Sequence, residues 1–358
     1  MKKFLAIASA LVVCVFSYAQ QMPPIPVDEA VRAGKLDNVL TNYIRHNEEP
    51  KGQANFYIAQ KVGSILEEEN QRGLAHFLEH MCFNGTVNFP GNGIVNYLEG
   101  IGVKFGAQLN AYTSIDETVY NIDNVPVGVV PSAVDSCLLI LHDWAGDLLL
   151  SDEEIDKERG VIHEEWRSRT SAQLRMYEKI LPEIYPNNRY GNRMPIGLME
   201  VVDNFPYEAL RSYYHTWYRP DLQGIVVVGD VDVDEVEAKI IDIFSSLPSA
   251  SDAPERVYFP IEDNKEPIIS TATDKEQTYA STFIFMKHPA IPDEAKSTLD
   301  YMLLQYVDNV VSNMAGNRLA EMTQKADPDF IGADIGDGTY FFSRTCNAFT
   351  GVASYDPS

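Results

Sequence analysis

Two histidines and one glutamate at helical spacing are the residues of this sequence best suited to chemistry. His76 and His80 stand four positions apart with Glu79 between them, in the segment His-Phe-Leu-Glu-His. On one helix face both imidazoles can bind a single metal ion, and the carboxylate projects to the same side. A zinc ion held there with one further ligand keeps a position for water, whose proton a nearby glutamate can accept. The alternative is a pair of structural histidines, but three residues of suitable type in one apolar helix favour the metal site.

The third ligand is expected from an acidic helix further along the chain. Ser151 is a suitable N-cap, and the helix that follows it contains Glu158, Glu164 and Glu165. At about 100° per residue, Glu158 and Glu165 lie about 20° apart, whereas Glu164 lies about 100° from Glu165. Glu158 and Glu165 are therefore predicted to point together into the site, one as a ligand and one as the hydrogen-bond partner of a ligand histidine. The alternative is that all three are solvent-exposed charges, and this is the prediction for Glu164.

Helices and strands must bring these segments together. Apolar periodicity predicts a helix over residues 67–85, which carries the histidine pair, and another from 152 to about 179. Strands and helices mix along the chain without repeating βαβ units, which favours an α+β fold. The sequence contains no G-x-G-x-x-G, G-x-x-x-x-G-K-[ST] or G-x-S-x-G motif, which excludes the simplest dinucleotide, NTPase and esterase interpretations.

Composition and charge limit the domain count and the classes of partner. The chain has 358 residues and is 45% hydrophobic, which is enough for roughly two domains. Lys and Arg number 28 against 52 Asp and Glu, a formal net charge of -24, so nucleic acid is not an expected partner. A Ser-, Ala- and Pro-rich stretch at 245–255 predicts a boundary between a domain of residues 20–250 and a second domain of residues 251–358.

The N-terminus has the pattern of a secretory signal. Two lysines precede the apolar run 4–16, and Ala19 ends a segment of the kind that signal peptidase cleaves. Residues 1–19 are therefore predicted to be a cleaved signal peptide, which makes the mature protein periplasmic or secreted. A transmembrane anchor is disfavoured because the run is shorter than the ~20 residues that span a bilayer. The three cysteines outside this segment, of which one pair could form a disulfide, are Cys82, Cys137 and Cys346.

These motifs resemble those of peptidase family M16, the inverzincins related to pitrilysin, insulin-degrading enzyme and the mitochondrial processing peptidase. The segment 73–81 matches the family's inverted H-x-x-E-H zinc helix, and Glu158 and Glu165 match its downstream pair of glutamates. The resemblance implies that Glu165 is the zinc ligand and Glu79 the catalytic base. It is dense over residues 34–245 and looser beyond them, as in the N-terminal part of a secreted bacterial member.

The resemblance also implies a substrate-binding strand and a fold. The family's Asn-Ala-x-Thr segment falls on Asn110, Ala111 and Thr113, which implies a strand edge whose backbone pairs with a peptide. The implied fold is that of the LuxS/M16-like metallopeptidases, with homologous two-layer α+β domains in which mixed antiparallel sheets pack against helices. The family's transition-state Arg and Tyr come from its C-terminal half; Arg318 and Tyr340 are the candidates here, and a structural role is their alternative.

The residues and the resemblance together predict a zinc-dependent endopeptidase with Zn2+ as its cofactor. It would hydrolyse peptides or unfolded protein segments with a water that zinc and Glu79 activate. A noncatalytic peptide-binding or structural subunit of the same family is the alternative, although such subunits commonly lose motif residues that this sequence keeps. A zinc-storage protein is a more remote alternative. The expected partners are the substrate and the missing C-terminal half of an M16 enzyme, in the same chain or in a partner subunit, with no nucleic acid.

Overall fold

The computed structural model describes residues 24–249 and 252–356. It divides into two units, one of residues 28–277 and one of the remaining described residues. The predicted signal peptide, residues 1–19, lies outside the described residues. Within the described ranges, no helix is both long enough and apolar enough to span a membrane.

The first unit is built on a mixed sheet of six strands. These are β1 (Val31–Lys35), β2 (Thr41–His46), β3 (Ala54–Gln60), β4 (Leu109–Thr113), β5 (Thr118–Val125) and β6 (Gln223–Gly229). Their order across the sheet is β1-β2-β6-β3-β5-β4. The β2–β6 pair is parallel and the other neighbouring pairs are antiparallel, so the sheet ends at β4 on one side.

The helices of the first unit lie between these strands along the chain and after the last of them. They are α1 (Leu74–Met81), α2 (Gly93–Gly100), α3 (Ala133–Gly146), α4 (Asp152–Arg169), α5 (Ala172–Ile184), α6 (Met199–Asn204), α7 (Tyr207–Trp217) and α8 (Val233–Phe244). Alternate residues of β3, among them Phe56 and Ile58, are fully buried, and so are Ile225 and Val227 of β6. Because α3 packs on β3 and α8 on β2, this alternation buries one face of the sheet. The prediction of an α+β fold with helices packed on a mixed sheet is confirmed.

The helix that carries the histidine pair is shorter than the predicted 67–85. It begins at Leu74, because Gly73 has a φ of 109° in the left-handed region that favours glycine. The buried carboxylate of Glu67 accepts hydrogen bonds from the backbone N–H groups of Gly73 (3.0 Å) and Ala75 (2.8 Å). Glu67 therefore caps α1 from outside the helix instead of lying within it.

The acidic helix is also interrupted, so the single helix predicted over 152–179 is wrong. The structure has two helices, α4 and α5, separated at Thr170 and Ser171. The Thr170 hydroxyl donates to the carbonyl of Trp166 at the end of α4 (2.6 Å), and Ser171 accepts a backbone N–H from the first turn of α5 (3.2 Å). These side-chain bonds compete with helix continuation and end α4 shortly after Glu165.

The second unit has a three-stranded antiparallel sheet and one long helix, α9. The sheet has the order β7-β9-β8, with β7 (Ala280–Pro289), β8 (Gly332–Thr339) and β9 (Cys346–Tyr355), and α9 spans Leu299–Thr323. All residues of α9 are described, and none of them is buried. Arg318 lies exposed on α9, and Tyr340 is buried beside the ring of Phe285.

The segment that ends the first unit, from Arg256 to Asp274, is bound to the rest of that unit by ion pairs. Arg256 pairs with Asp116 (2.8 Å), and Arg175 pairs with Asp274 (2.7 Å). The segment after the boundary predicted near residue 250 therefore packs within the first unit, which extends to residue 277.

The three cysteines outside the predicted signal peptide, Cys82, Cys137 and Cys346, are buried, and no disulfide joins any two of them. Burial raises the pKa of Cys82 and of Cys137, which keeps both side chains as neutral thiols.

We expect Glu67→Gln to lower the free energy of unfolding by about 1–3 kcal/mol, because the amide puts a donor in place of one of the two buried oxygens that accept backbone N–H groups. Urea unfolding followed by circular dichroism measures this loss. The matched control is Glu99→Gln on an exposed position of α2, which should change the free energy by less than about 0.5 kcal/mol. Equal effects of the two substitutions would show that Glu67 does not hold the start of α1.

Candidate metal centre

Helices α1 and α4 bring three metal-ligating side chains together. Oε2 of Glu165 lies 3.5 Å from Nε2 of His76 and 3.1 Å from Nε2 of His80. One donor atom from each residue lies within 4.8 Å of the others. Four donors bound tetrahedrally to zinc at about 2.0–2.2 Å are about 3.3 Å apart, so this spacing fits a zinc ion.

A fourth side chain, Glu158, orients one of the histidines. Its Oε1 lies 2.7 Å from Nδ1 of His80, which donates to it, and its Oε2 accepts a hydrogen bond from the side-chain amide of Asn84 (2.5 Å). Glu158 is buried, so both contacts are shielded from solvent. With Nδ1 bound to Glu158, Nε2 of His80 is the nitrogen directed at Glu165 and at a metal ion.

The carboxylates change the protonation of the residues that would bind the metal. Burial lowers the pKa of His80, but the hydrogen bonds to Glu158 and Glu165 outweigh it and raise the pKa to about 9. Hydrogen bonds from His76 and His80 hold the pKa of Glu165 well below its usual range. Without a metal ion, His80 is therefore protonated and positively charged at neutral pH.

The remaining residue of the motif, Glu79, faces the same cavity. The hydroxyl of Thr113 on β4 donates a hydrogen bond to Oε2 of Glu79 (2.5 Å). The structure thus places Thr113, predicted from the resemblance to bind substrate, in contact with the predicted base.

The strand β4 has an open edge beside this cavity. It is the terminal strand of the sheet and pairs with β5, where Asn110 lies opposite Asn121 and Ala111 opposite Tyr120. Within the described part of the chain, no strand pairs with its other edge. The exposed Asn110 and the half-buried Ala111 both line the cavity, so a peptide could add there as a further strand.

The cavity has a volume of about 770 Å³. The metal-ligating residues, Glu79 and the β4 residues form one part of its wall. Apolar side chains line much of the rest, namely Phe83, Val95, Phe105, Val161, Trp166, Leu174, Met194 and Ile196. A polar centre within an apolar cavity is the usual form of a site that binds an organic ligand.

Sequence reasoning missed three contacts of this site. Asn84 binds Glu158, and Arg169 pairs with Oε1 of Glu165 at 2.8 Å. Arg169 follows Glu165 by four residues in one helix, and this spacing was a signal that could have found it. The contact of Thr113 with Glu79 spans 34 residues and had no local signal.

The fold and the site agree with the protein families that match the sequence. The profile of insulinase, peptidase family M16, matches residues 43–195, and that of the peptidase M16 inactive domain matches residues 204–324. The chain belongs to peptidase family M16, and the resemblance predicted from its motifs is confirmed.

Individual relatives within the family are zinc proteases by name. The chain is 37% identical over 267 residues to the probable zinc protease PqqL of Escherichia coli K12, covering 75% of this chain and 28% of PqqL. It is 33% identical over 303 residues to a zinc protease PQQL-like of Arabidopsis thaliana, covering 84% of this chain and 31% of that protein. The crystal structure of the periplasmic protease PqqL from E. coli aligns with a TM-score of 0.81 at 31% identity, covering 93% of this chain and 36% of that one. The chain therefore spans about a third of the length of these relatives.

Replacement of the third ligand should release zinc, whereas replacement of its neighbour should not. Glu165→Gln removes the charged oxygen that faces His76 and His80, and we expect this variant to lose the zinc ion of this centre on dialysis. Glu164→Gln is the matched control, because the Glu164 side chain is 67% exposed. Metal analysis of the dialysed proteins measures the difference. Zinc lost from Glu164→Gln but retained by Glu165→Gln would move the third ligand by one residue.

Zinc binding should displace a proton from His80. With its pKa raised to about 9, this histidine is protonated in the zinc-free protein at pH 7, and the metal takes the place of the Nε2 proton. We expect uptake of zinc by this centre at pH 7 to release about one proton, and its affinity to increase with pH until about pH 9. Calorimetry in two buffers of different ionisation enthalpy measures the protons released. No release at pH 7 would mean that His80 is already neutral.

Proposed function

We propose that this chain is the zinc-binding part of a zinc-dependent endopeptidase that hydrolyses peptides or unfolded protein segments. The observation that carries the proposal is the convergence of His76, His80 and Glu165 at zinc spacing, with Glu79 in the same cavity. The names of the relatives, zinc proteases in both E. coli and Arabidopsis, support it.

Each polar residue of the centre has a distinct role in this proposal. His76, His80 and Glu165 would hold the zinc ion, and Glu158 positions His80 through the bond to Nδ1. Bound zinc supplies polarisation of the scissile carbonyl and a lowered pKa for a bound water.

Glu79 is the general base, and β4 holds the substrate. The Thr113 hydroxyl binds one carboxylate oxygen of Glu79, which leaves the other to accept the proton of the attacking water. The backbone of Asn110 and Ala111 at the open edge of β4 pairs with the extended peptide, so that the scissile bond is held beside Glu79. The apolar wall of the cavity receives substrate side chains.

The complete enzyme requires more than the two units of this chain. Relatives are about three times as long as this chain, and we propose that a further M16 half, in the same chain or in a partner subunit, completes the catalytic chamber. That half would also supply the arginine and tyrosine that stabilise the transition state. The signal pattern of residues 1–19 and the periplasmic location of PqqL support action in the periplasm or outside the cell.

The test of this proposal is Glu79→Gln in the complete enzyme that contains the chain. Gln keeps the size of the side chain but cannot act as a base, so hydrolysis of a fluorogenic peptide should fall by at least about 10²-fold while zinc stays bound. Turnover and zinc content are measured on the same preparation.

The matched control is again Glu164→Gln, the same change at an exposed position of α4, which should keep full activity. Unchanged turnover of Glu79→Gln would exclude Glu79 as the base. Absence of peptide hydrolysis in the wild-type enzyme loaded with zinc would favour a noncatalytic subunit.

A further inference from the structure

A second group of potential ligands lies at the end of α3, away from the residues of the metal centre described above. It consists of His142, Asp143 and Asp147, which offer donor atoms within 4.8 Å of one another. His142 is 9% exposed and Asp143 is completely buried. The Asp147 side chain is 39% exposed, so the cluster has a route to solvent.

The hydrogen bonds of His142 determine which of its nitrogens carries a proton. Nε2 lies 3.0 Å from Oγ of Ser246, and that hydroxyl donates its own hydrogen to the carbonyl of Ile243 (2.8 Å). Because a hydroxyl has a single hydrogen, Ser246 must accept from Nε2–H. In the neutral ring, Nδ1 therefore carries a lone pair, and it is buried with no hydrogen-bond partner among the described residues.

This lone pair faces two carboxylates. Nδ1 of His142 lies 3.3 Å from Oδ2 of Asp147 and 3.8 Å from Oδ1 of Asp143. Three electron-rich atoms that converge in this way repel one another, and a cation among them removes the repulsion. The cation is either a proton on Nδ1 or a metal ion bound by all three atoms.

The surroundings of Asp143 hold its carboxylate as an acceptor in a fixed position. Its Oδ2 accepts hydrogen bonds from the Thr86 hydroxyl (2.5 Å) and from the backbone N–H of Asn88 (3.0 Å), and its Oδ1 accepts one from the side chain of Asn88 (2.7 Å). Asp147 is the C-cap of α3, where the helix dipole favours a positive charge. A prearranged donor set at the negative end of a helix favours a metal ion.

We propose that His142 Nδ1, Asp143 Oδ1 and Asp147 Oδ2 form a second site for a divalent transition-metal ion, with water as the remaining ligand. One imidazole and two carboxylates are a donor set suited to ions such as zinc, whereas calcium and magnesium prefer oxygen alone. All three ligands come from the end of α3, and Asp143 also accepts hydrogen bonds from Thr86 and Asn88 of the loop that follows the helix of the first centre. The site is structural, because no residue of the peptidase cavity belongs to it.

The test counts zinc ions by equilibrium dialysis of the whole chain at about 10 μM free zinc, where a site with a micromolar Kd is about 90% occupied. We expect about two ions per wild-type chain and about one in Asp147→Asn. The matched control is Asp203→Asn, because Asp203 also pairs with a histidine, His163 at 2.7 Å, but no third ligand joins this pair among the described residues. This variant should keep about two ions.

The Glu165→Gln background separates this proposal from the proposed function. In Glu165→Gln the first centre is lost, and about one zinc ion should remain, bound at His142. Adding Asp147→Asn to this variant should remove that remaining ion. No zinc in Glu165→Gln, or one ion that Asp147→Asn leaves in place, would overturn the second site and assign the cation on His142 to a proton. Circular dichroism of each variant shows that the fold is kept.

Discussion

The hydrogen bond between His80 and Glu158 is the contact on which the candidate centre depends. At 2.7 Å it joins α1 to α4 and directs Nε2 of His80 at Glu165. Because Glu165 follows Glu158 by two helical turns, the same contact places its carboxylate opposite both histidines. Glu67 fixes the start of α1, and the break at Thr170 ends α4 shortly after Glu165.

Charge explains why this cavity favours a metal ion. The carboxylates of Glu79, Glu158 and Glu165 lie close together in a chain with a net charge of -24. In the absence of a metal, the hydrogen bonds to Glu158 and Glu165 raise the pKa of His80 to about 9, so a proton supplies the positive charge. A zinc ion supplies more positive charge than that proton. Its site lies beside the open edge of β4, which can hold a peptide.

Much of the site could be predicted from local spacing. The four-residue step from His76 to His80 and the seven-residue step from Glu158 to Glu165 are both set by the helical period, and the structure brings these residues together. The limits of the two helices were wrong because they depend on the left-handed Gly73 and on the Thr170 hydroxyl, which apolar periodicity does not record. Contacts between distant segments had no sequence signal. Thr113 reaches Glu79 only because β4 packs beside α1, and His142 approaches Ser246 only because α3 packs on α8.

The most direct test of the proposed centre is anomalous diffraction at the zinc edge from crystals of the zinc-loaded protein. We predict a peak about 2.0–2.2 Å from Nε2 of His76, Nε2 of His80 and a carboxylate oxygen of Glu165, with Glu158 bound to Nδ1 of His80 and not to the metal. A peak that is coordinated by Glu158 or Glu164 in place of Glu165, or no peak between α1 and α4, would contradict it.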